Sequence, residues 1–181
     1  LQVHGRDVEA ACAGQRVAVN LSGIRKENVC RGDVLCAPDS LRPTRMLDVR
    51  LQNLRDSRRV IESGARLHFY HGAAACLVRA VLLDRDALRP GESCYAQLSL
   101  SEDLAARQGD RFVVRFYSPL ETIGGGVILD EHPYRHKRHD EGVLAALAVR
   151  ESGSDEEKIV QAINACGADG MAFATLCARF D

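Results

Sequence analysis

Short runs of alternating apolar and polar residues cover the first 130 positions of the chain. A period of two turns successive side chains to opposite faces, which is typical of half-buried β-strands. Turn residues such as Pro90-Gly91 and Gly109-Asp110 separate the runs. Short strands at this spacing, with no long helices between them, indicate an antiparallel barrel or sandwich. Eight strands are predicted: Gln15–Leu21, Asp33–Cys36, Thr44–Leu51, Arg66–His71, Cys76–Leu83, Ser93–Leu100, Arg111–Tyr117 and Val127–Asp130.

The pattern becomes helical after Asp140. Ser154 and Glu157 match a capping box at the start of a helix, and Gly167 is a stop signal at the end of the same helix. Three short helices in succession resemble the beginning of a winged-helix unit. The predicted helices are Glu141–Arg150, Asp155–Cys166 and Met171–Arg179.

The segment Pro38–Pro43 is predicted to be a linker, because it holds two prolines and a new strand pattern follows it. The residues before it are too few for a complete barrel. The first residue, Leu1, is not a methionine. These features lead us to expect a piece of a longer polypeptide.

Composition restricts the classes of partner. The net charge of −1 provides no overall attraction to nucleic acid or to a membrane surface, and 46% hydrophobic residues can form a core. Of the 24 basic residues, 21 are arginine. Arginine binds phosphate and carboxylate in a planar, bidentate manner, although the base composition of the gene is an alternative explanation for the excess.

The cysteines and the apolar runs indicate a cellular setting. There are seven cysteines, an odd number, and none forms a C-x-x-C pair. We therefore expect a reducing environment without a disulfide framework. The sequence contains no apolar run of about 18 residues and no signal peptide, so it predicts a cytoplasmic protein without a membrane partner.

Three consecutive glycines, Gly124, Gly125 and Gly126, lead into the last predicted strand. Glycine has no Cβ and lets another backbone come close, so a triplet at a strand entrance suggests a bulge or a close-contact site. A tight barrel corner explains it equally well.

Two segments concentrate positive charge. His132–His139 combines three histidines and three basic residues with Tyr134, so it could hold phosphates and stack on a base. Residues 41 to 66 contain seven arginines and three acidic residues and could also face phosphate. The ordinary alternatives are a solvated linker and a charged hairpin tip; metal binding by the histidines lacks a supporting cysteine or carboxylate motif.

Enzyme signatures are absent from the sequence. It has no G-x-S-x-G nucleophile elbow, no H-E-x-x-H metal motif and no G-x-x-x-x-G-K-[ST] phosphate loop. The glycine triplet precedes a predicted strand, whereas a phosphate loop opens a helix.

The order of several motifs is similar to that of translational GTPases. Gly14–Ile24 followed by Val29–Leu35 resembles the end of their second domain. Arg111–Arg115 followed by Thr122–Ile128 resembles the end of their third domain, as in elongation factor Tu.

More specific segments resemble the bacterial selenocysteine-specific elongation factors. Together with the motifs above they extend from residue 14 to residue 138, about two-thirds of the chain. They are Leu82–Gly91, Ala96–Leu98, Ile123–Gly126 and Arg135–Arg138.

This resemblance implies a mainly β fold of translation-factor-type β-barrels. Residues 1–38 would be the C-terminal part of barrel domain II, and residues 39–132 a complete barrel domain III. Residues 133–181 would form a linker and the α-helical start of a winged-helix region.

The resemblance also implies a function. The family delivers selenocysteinyl-tRNA to the ribosome at recoded UGA codons, and its downstream winged-helix modules bind an mRNA hairpin. GTP and Mg would bind to a GTPase domain upstream. We therefore expect no cofactor and no catalysis in the present residues.

The resemblance places a transfer RNA beside the glycine triplet, because the matching segment of elongation factor Tu approaches the T-stem backbone. Arg31 would lie near the aminoacyl end. The candidate tRNA-binding residues are Gly124, Gly125, Gly126, Arg115, Arg135, Lys137, Arg138 and Arg31.

Three other hypotheses remain at this point. The barrel could be a structural spacer between RNA-binding and GTPase modules. It could belong to another translational GTPase family, such as an initiation-factor-like or regulatory one. A zinc metalloenzyme is the most distant alternative.

Overall fold

The computed structural model describes residues 1–38, 40–165, 170, 172, 173 and 176 of the chain. Two compact units result, Leu1–Arg31 and Gly32–Asp181.

The first unit contains a small antiparallel sheet in the order β2-β1-β3, formed by β1 (Gln2–Val3), β2 (Arg6–Asp7) and β3 (Val17–Ala18). His4 and Gly5 connect β1 to β2 with φ angles of 51° and 76°. Two consecutive positive φ angles are the feature of the tight hairpin turn that matches strand twist.

Two strand predictions near the N-terminus differ from the structure. Gln15–Leu21 was predicted as one strand, but only Val17 and Ala18 pair with β1. Asp33–Cys36 is not a strand, and Leu35 within it is 73% exposed. Alternation alone does not make a strand, because the backbone also needs a neighbouring edge to pair with.

The second unit is built on a closed barrel of six antiparallel strands in the order β10-β11-β4-β9-β7-β6. This confirms the predicted mainly β fold with a barrel. Pairing of β10 with β6 closes the barrel. A separate two-stranded sheet pairs β5 with β8. The strands of this unit are β4 (Thr44–Asn53), β5 (Ile61–Glu62), β6 (Ala65–His71), β7 (Ala74–Leu82), β8 (Ala87–Leu88), β9 (Ser93–Leu104), β10 (Arg111–Phe116) and β11 (Thr122–Asp130).

Alternate side chains of the barrel strands fill its interior. Leu47, Val49 and Leu51 of β4 are fully buried, and the rings of Phe69 and Phe112 stack with centroids 5.0 Å apart. These inward positions follow the period of two that is typical of a β-strand.

The glycine triplet lies inside β11, which begins at Thr122, and not at the entrance of a strand beginning at Val127. The expected close contact is present. A Cβ on Gly124, Gly125 or Gly126 would overlap the carbonyl oxygen of Gln52, Phe112 or Arg50, respectively. Both neighbouring strands thus approach β11 too closely for any side chain at these positions.

In the residues described continuously after the barrel, up to Ala165, the chain forms the helices α1 (Glu141–Ser152) and α2 (Asp155–Ala165). The predicted capping box is confirmed: Ser154 N donates to Glu157 Oε2 over 2.8 Å, and Glu157 N donates to Ser154 Oγ over 3.2 Å. The predicted third helix, Met171–Arg179, lies outside the described residues apart from three positions. No helix in the described part is long and apolar enough to cross a membrane.

Helix α1 packs on the outside of the barrel. Leu147 is buried against Leu83 and Leu129, and Val143 and Leu144 lie beside them. Asp140 caps the helix by accepting a hydrogen bond from Val143 N over 3.2 Å. The helix is therefore attached to the barrel by an apolar contact of its own.

We expect Gly126→Ala to lower the free energy of unfolding by about 2–3 kcal/mol, because the neighbouring carbonyl belongs to a backbone that cannot move aside. The measurement is urea denaturation followed by circular dichroism. Gly142→Ala in α1 is the control, since its Cβ would meet no backbone atom and would come no closer than 3.3 Å to Asp140 Oδ1. Equal stability of the two variants would contradict the steric explanation.

The thiols should differ in reactivity. Cys12 and Cys36 are exposed, whereas Cys94 is buried, and burial raises its pKa to about 12. Burial also raises the pKa of Cys76 to about 11. Because the thiolate is the reacting form, iodoacetamide should label Cys12 and Cys36 first and Cys94 only on unfolding, as followed by mass spectrometry. Labelling of Cys94 in the folded protein at the rate of Cys36 would contradict this order.

Candidate nucleic-acid interface

One outer face of the barrel is formed by β6, β7 and β10. Leu67, Phe69, Val78, Phe112 and Val114 point into the core, so the residues between them point outward. Neighbouring outward residues meet across the strands: Arg115 lies opposite His68, and Arg66 opposite Arg79. We call this surface, with the residue following β10, the arginine–aromatic face: Arg66, His68, Tyr70, Arg79, Arg115 and Tyr117.

The face is positively charged. None of the strands β6, β7 and β10 contains an aspartate or a glutamate. Arg66 and Arg79 are exposed, and within the described part of the chain neither side chain makes a hydrogen bond or an ion pair. Like charges directly opposite each other on neighbouring strands repel, so an anion bound between them would relieve the repulsion.

Aromatic rings lie among these arginines. The His68 ring stacks on Tyr117 with centroids 5.3 Å apart, and Tyr117 remains 57% exposed. The Arg115 guanidinium lies 5.9 Å from the centre of the Tyr70 ring. Its Nε is buried and has no hydrogen-bond partner among the described residues. Cationic and aromatic groups in this combination can bind phosphates and stack on bases or sugars.

The loop that carries Tyr117 is held at both ends. Phe116 N donates to the Glu121 carbonyl over 2.7 Å. Arg59 lies 4.1 Å from the centre of the Phe116 ring and donates to Glu121 Oε2 over 3.2 Å. Arg115 also donates to the Leu120 carbonyl over 3.2 Å. These contacts hold the ends of the loop beside the barrel.

The glycine triplet lies beside this face, since Gly125 pairs with Val113 of β10. Gly124–Gly126 also pair with residues 51–53 of β4, so neighbouring strands occupy both edges of the triplet. Its backbone groups therefore belong to the barrel ladders, and packing alone accounts for the absence of side chains. Contact of these glycines with RNA stays a prediction.

The basic residues after β11 divide into two groups. We call residues 131–140 the connector. Arg135 and Lys137 are exposed and make no hydrogen bond or ion pair within the described ranges, and Tyr134 is 83% exposed. These side chains can reach a ligand.

Arg138 instead binds the protein itself. Its Nε donates to the Leu82 carbonyl over 2.9 Å, and one terminal nitrogen donates to the Arg85 carbonyl over 2.8 Å and to Asp86 Oδ1 over 2.5 Å. This hydrogen bond lowers the pKa of Asp86. Because the guanidinium already holds the connector against the barrel, a phosphate would have to compete with these partners.

The candidate residues do not form one site. Arg115 pairs with Thr122 at the start of β11, whereas the connector follows Asp130 at its end. At about 3.3 Å per residue, roughly 25 Å of strand separates them. Arg31 belongs to the first unit and is exposed. The arginine-rich segment is also divided, because Arg45 pairs with Asp103, Arg50 with Glu151 and Arg59 with Glu121.

The sequence did not reveal a polar cluster that lies between β4 and the connector. Asp48 is fully buried beneath the connector. Its Oδ1 accepts a hydrogen bond from Gln97 Nε2 over 2.8 Å, and its Oδ2 lies 2.7 Å from His136 Nε2. Burial raises the pKa of Asp48, and the charge of His136 and the hydrogen bond from Gln97 oppose that effect. The available signal was a carboxylate in the middle of the apolar pattern of β4.

A second carboxylate lies beside the first. Asp130 pairs with Asp48 across β11 and β4 and is also buried. It forms an ion pair with Arg150 of α1 and accepts a hydrogen bond from His132 N over 3.0 Å. We call Asp48 and Asp130 the carboxylate pair. Among the described residues, no group of three histidine, cysteine, aspartate or glutamate side chains could hold a metal ion.

Comparisons with known proteins agree with this architecture. The family model described as "Selenocysteine-specific elongation factor, beta-barrel domain" matches residues 48–135. A selenocysteine-specific elongation factor from Desulfomicrobium baculatum is 35% identical over 97% of this chain and 28% of its own length. Its counterpart from Escherichia coli K12 is 32% identical over 86% of this chain and 24% of its own length.

A more distant relative is elongation factor Tu 2 from Streptomyces avermitilis. It is 30% identical over 71% of this chain and 33% of its own length. The chain thus spans 24–33% of the length of these relatives.

Two neighbouring arginines should respond differently to removal. Arg138→Ala should lower the free energy of unfolding by about 1–2 kcal/mol, because two main-chain carbonyls lose a charged donor. Arg135→Ala should change it by less than about 0.5 kcal/mol, because the side chain is exposed. Urea unfolding of both variants checks this. An equal loss of unfolding free energy in the two variants would show that the hydrogen bonds of Arg138 to the barrel do not stabilise the fold.

Proposed function

Through its barrel, the chain belongs to the family of selenocysteine-specific elongation factors, and from this premise we propose that it serves in the delivery of selenocysteinyl-tRNA to the ribosome at recoded UGA codons. The setting is the cytoplasm, where translation takes place. The single observation that carries the proposal is the arginine–aromatic face, a surface of arginines and exposed rings whose strands contain no acidic residue.

In this proposal the face lies against the sugar-phosphate backbone of the transfer RNA. Arg66, Arg79 and Arg115 bind phosphates, and the bound phosphates relieve the repulsion between the first two arginines. The exposed ring of Tyr117 packs against a sugar or a base. Gly124, Gly125 and Gly126 provide a strip without side chains beside Arg115, along which the backbone can approach closely.

The other predicted residues have separate roles. Arg135 and Lys137 form a second phosphate contact at the far end of β11. Arg138 supports them by holding the connector. Arg31 contacts the region of the aminoacyl end. The proposal assigns no catalytic step to the described residues; GTP and Mg bind to the GTPase domain of such factors, and an mRNA hairpin binds to their winged-helix modules.

A structural spacer is the second candidate function, and the contacts of the helices favour it. Arg50, Tyr95 and Glu151 join the barrel to α1: Tyr95 Oη donates to Glu151 Oε2 over 2.6 Å, and Arg50 Nε lies 3.3 Å from Glu151 Oε1. A barrel of this kind would set the distance between the GTPase and the RNA-binding modules without touching the transfer RNA.

Binding of selenocysteine-specific tRNA, measured by fluorescence anisotropy over a range of salt concentrations, separates the two functions. The double variant Arg66→Gln/Arg79→Gln should weaken binding about tenfold or more and reduce the slope of log affinity against log salt by about 2, because two phosphate contacts are lost. The charge-matched control Arg42→Gln/Arg89→Gln changes two exposed arginines outside the face and should bind as the unmodified chain does.

Equal weakening by both double variants would show that binding depends only on net charge and would remove the arginine–aromatic face from the proposal. No binding of the unmodified chain at low salt, with an unchanged circular dichroism spectrum, would favour the spacer.

A further inference from the structure

We propose that the connector and α1 form a strap across the barrel, and that the contact between His136 and Asp48 keeps the middle of this strap closed. The proposal concerns how the helices are held, and it does not depend on tRNA binding. It starts from the carboxylate pair, which brings two buried acidic groups together on adjacent strands.

Two adjacent buried carboxylates are unfavourable unless donors or cations satisfy both. In the described part of the chain, the two basic side chains that contact the pair come from outside the barrel strands. His136 comes from the connector and reaches Asp48, and Arg150 comes from α1 and reaches Asp130. The barrel therefore carries the two acids, and the strap carries the two basic groups.

Gln97 of β9 joins the two parts further. Its Nε2 donates both to Asp48 Oδ1 and to the Tyr134 carbonyl, each over 2.8 Å, and its Oε1 accepts from His136 N over 3.3 Å. The side-chain amide thus binds the connector backbone on both sides of Arg135. An ionised carboxylate only accepts hydrogen bonds, so His136 donates to Asp48 through its Nε2–H.

The closed strap extends its contacts to the second helix. Arg150 Nε donates to Gln161 Oε1 over 3.3 Å, and Gln161 Nε2 donates to the Ala146 carbonyl over 2.8 Å. One continuous series of polar contacts therefore runs from the barrel through α1 to α2. If His136 leaves Asp48, the middle of the strap loses a direct side-chain contact with the carboxylate pair.

The strap is also the part of the second unit that can open without breaking the barrel ladders. The connector contains no strand, and its attachment consists of side-chain contacts and of single backbone hydrogen bonds such as His139 N to the Leu83 carbonyl over 2.7 Å. A segment held by few contacts opens by local unfolding at lower free energy than the core. Release of His136 would thus loosen the connector while the barrel stays folded and α1 keeps its own contacts with it.

Hydrogen exchange followed by mass spectrometry tests this in the complete chain. His136→Ala should speed amide exchange in residues 131–140 by about tenfold or more, since a charge-assisted hydrogen bond is lost, and leave β6, β7 and β10 unchanged. His136→Gln, which retains a donor of similar reach, should restore part of the protection. His132→Ala is the matched control, because only its backbone N–H, and not its exposed ring, binds the carboxylate pair.

Two results would overturn the proposal. Unchanged exchange of the connector in His136→Ala would show that the histidine does not hold the strap. Equal acceleration in the connector and in the barrel strands would show that His136 supports the whole unit and not a separate strap. Using His136 variants avoids changes at Asp48, whose removal from the centre of β4 could unfold the barrel.

Discussion

The backbone of β11 passes closer to β4 and β10 than a Cβ atom would permit, and the barrel depends on this approach. Glycine is the one residue that leaves room for the carbonyl oxygens of Arg50, Gln52 and Phe112. The close approach of β11 to β4 and β10 fixes the register of these strands. It therefore also determines which outward residues meet on the arginine–aromatic face and which carboxylates lie side by side beneath the connector.

The sequence predicted the barrel well because its strands alternate and have partners on both sides. Thr44–Leu51 and Ser93–Leu100 were predicted nearly as they occur, although the structure extends both. The same alternation failed at Asp33–Cys36, because a pattern of side chains does not reveal whether a neighbouring edge exists. The capping box at Ser154 was predictable because both of its hydrogen bonds are local.

The candidate site was less predictable, since its members are distant in sequence. Arg66, Arg79 and Arg115 come together only through the register of three strands. The sequence alone does not show which charged side chains of the connector are available to a ligand. Arg135 faces solvent, whereas Arg138, three positions later, binds main-chain carbonyls. Family resemblance singled out Ala96–Leu98 and Arg135–Arg138 as separate motifs, and the structure joins them through Gln97 and His136.

The carboxylate pair also defines the smallest piece of this chain suited to expression by itself. A piece ending at residue 132, where alternating strands give way to the connector, would retain Asp48 and Asp130 but discard His136 and Arg150. It would also uncover Leu83 and Leu129, which α1 protects. Such a piece would expose both carboxylates and an apolar patch to water. A barrel intended to fold by itself therefore has to include α1, even though its last strand ends at Asp130.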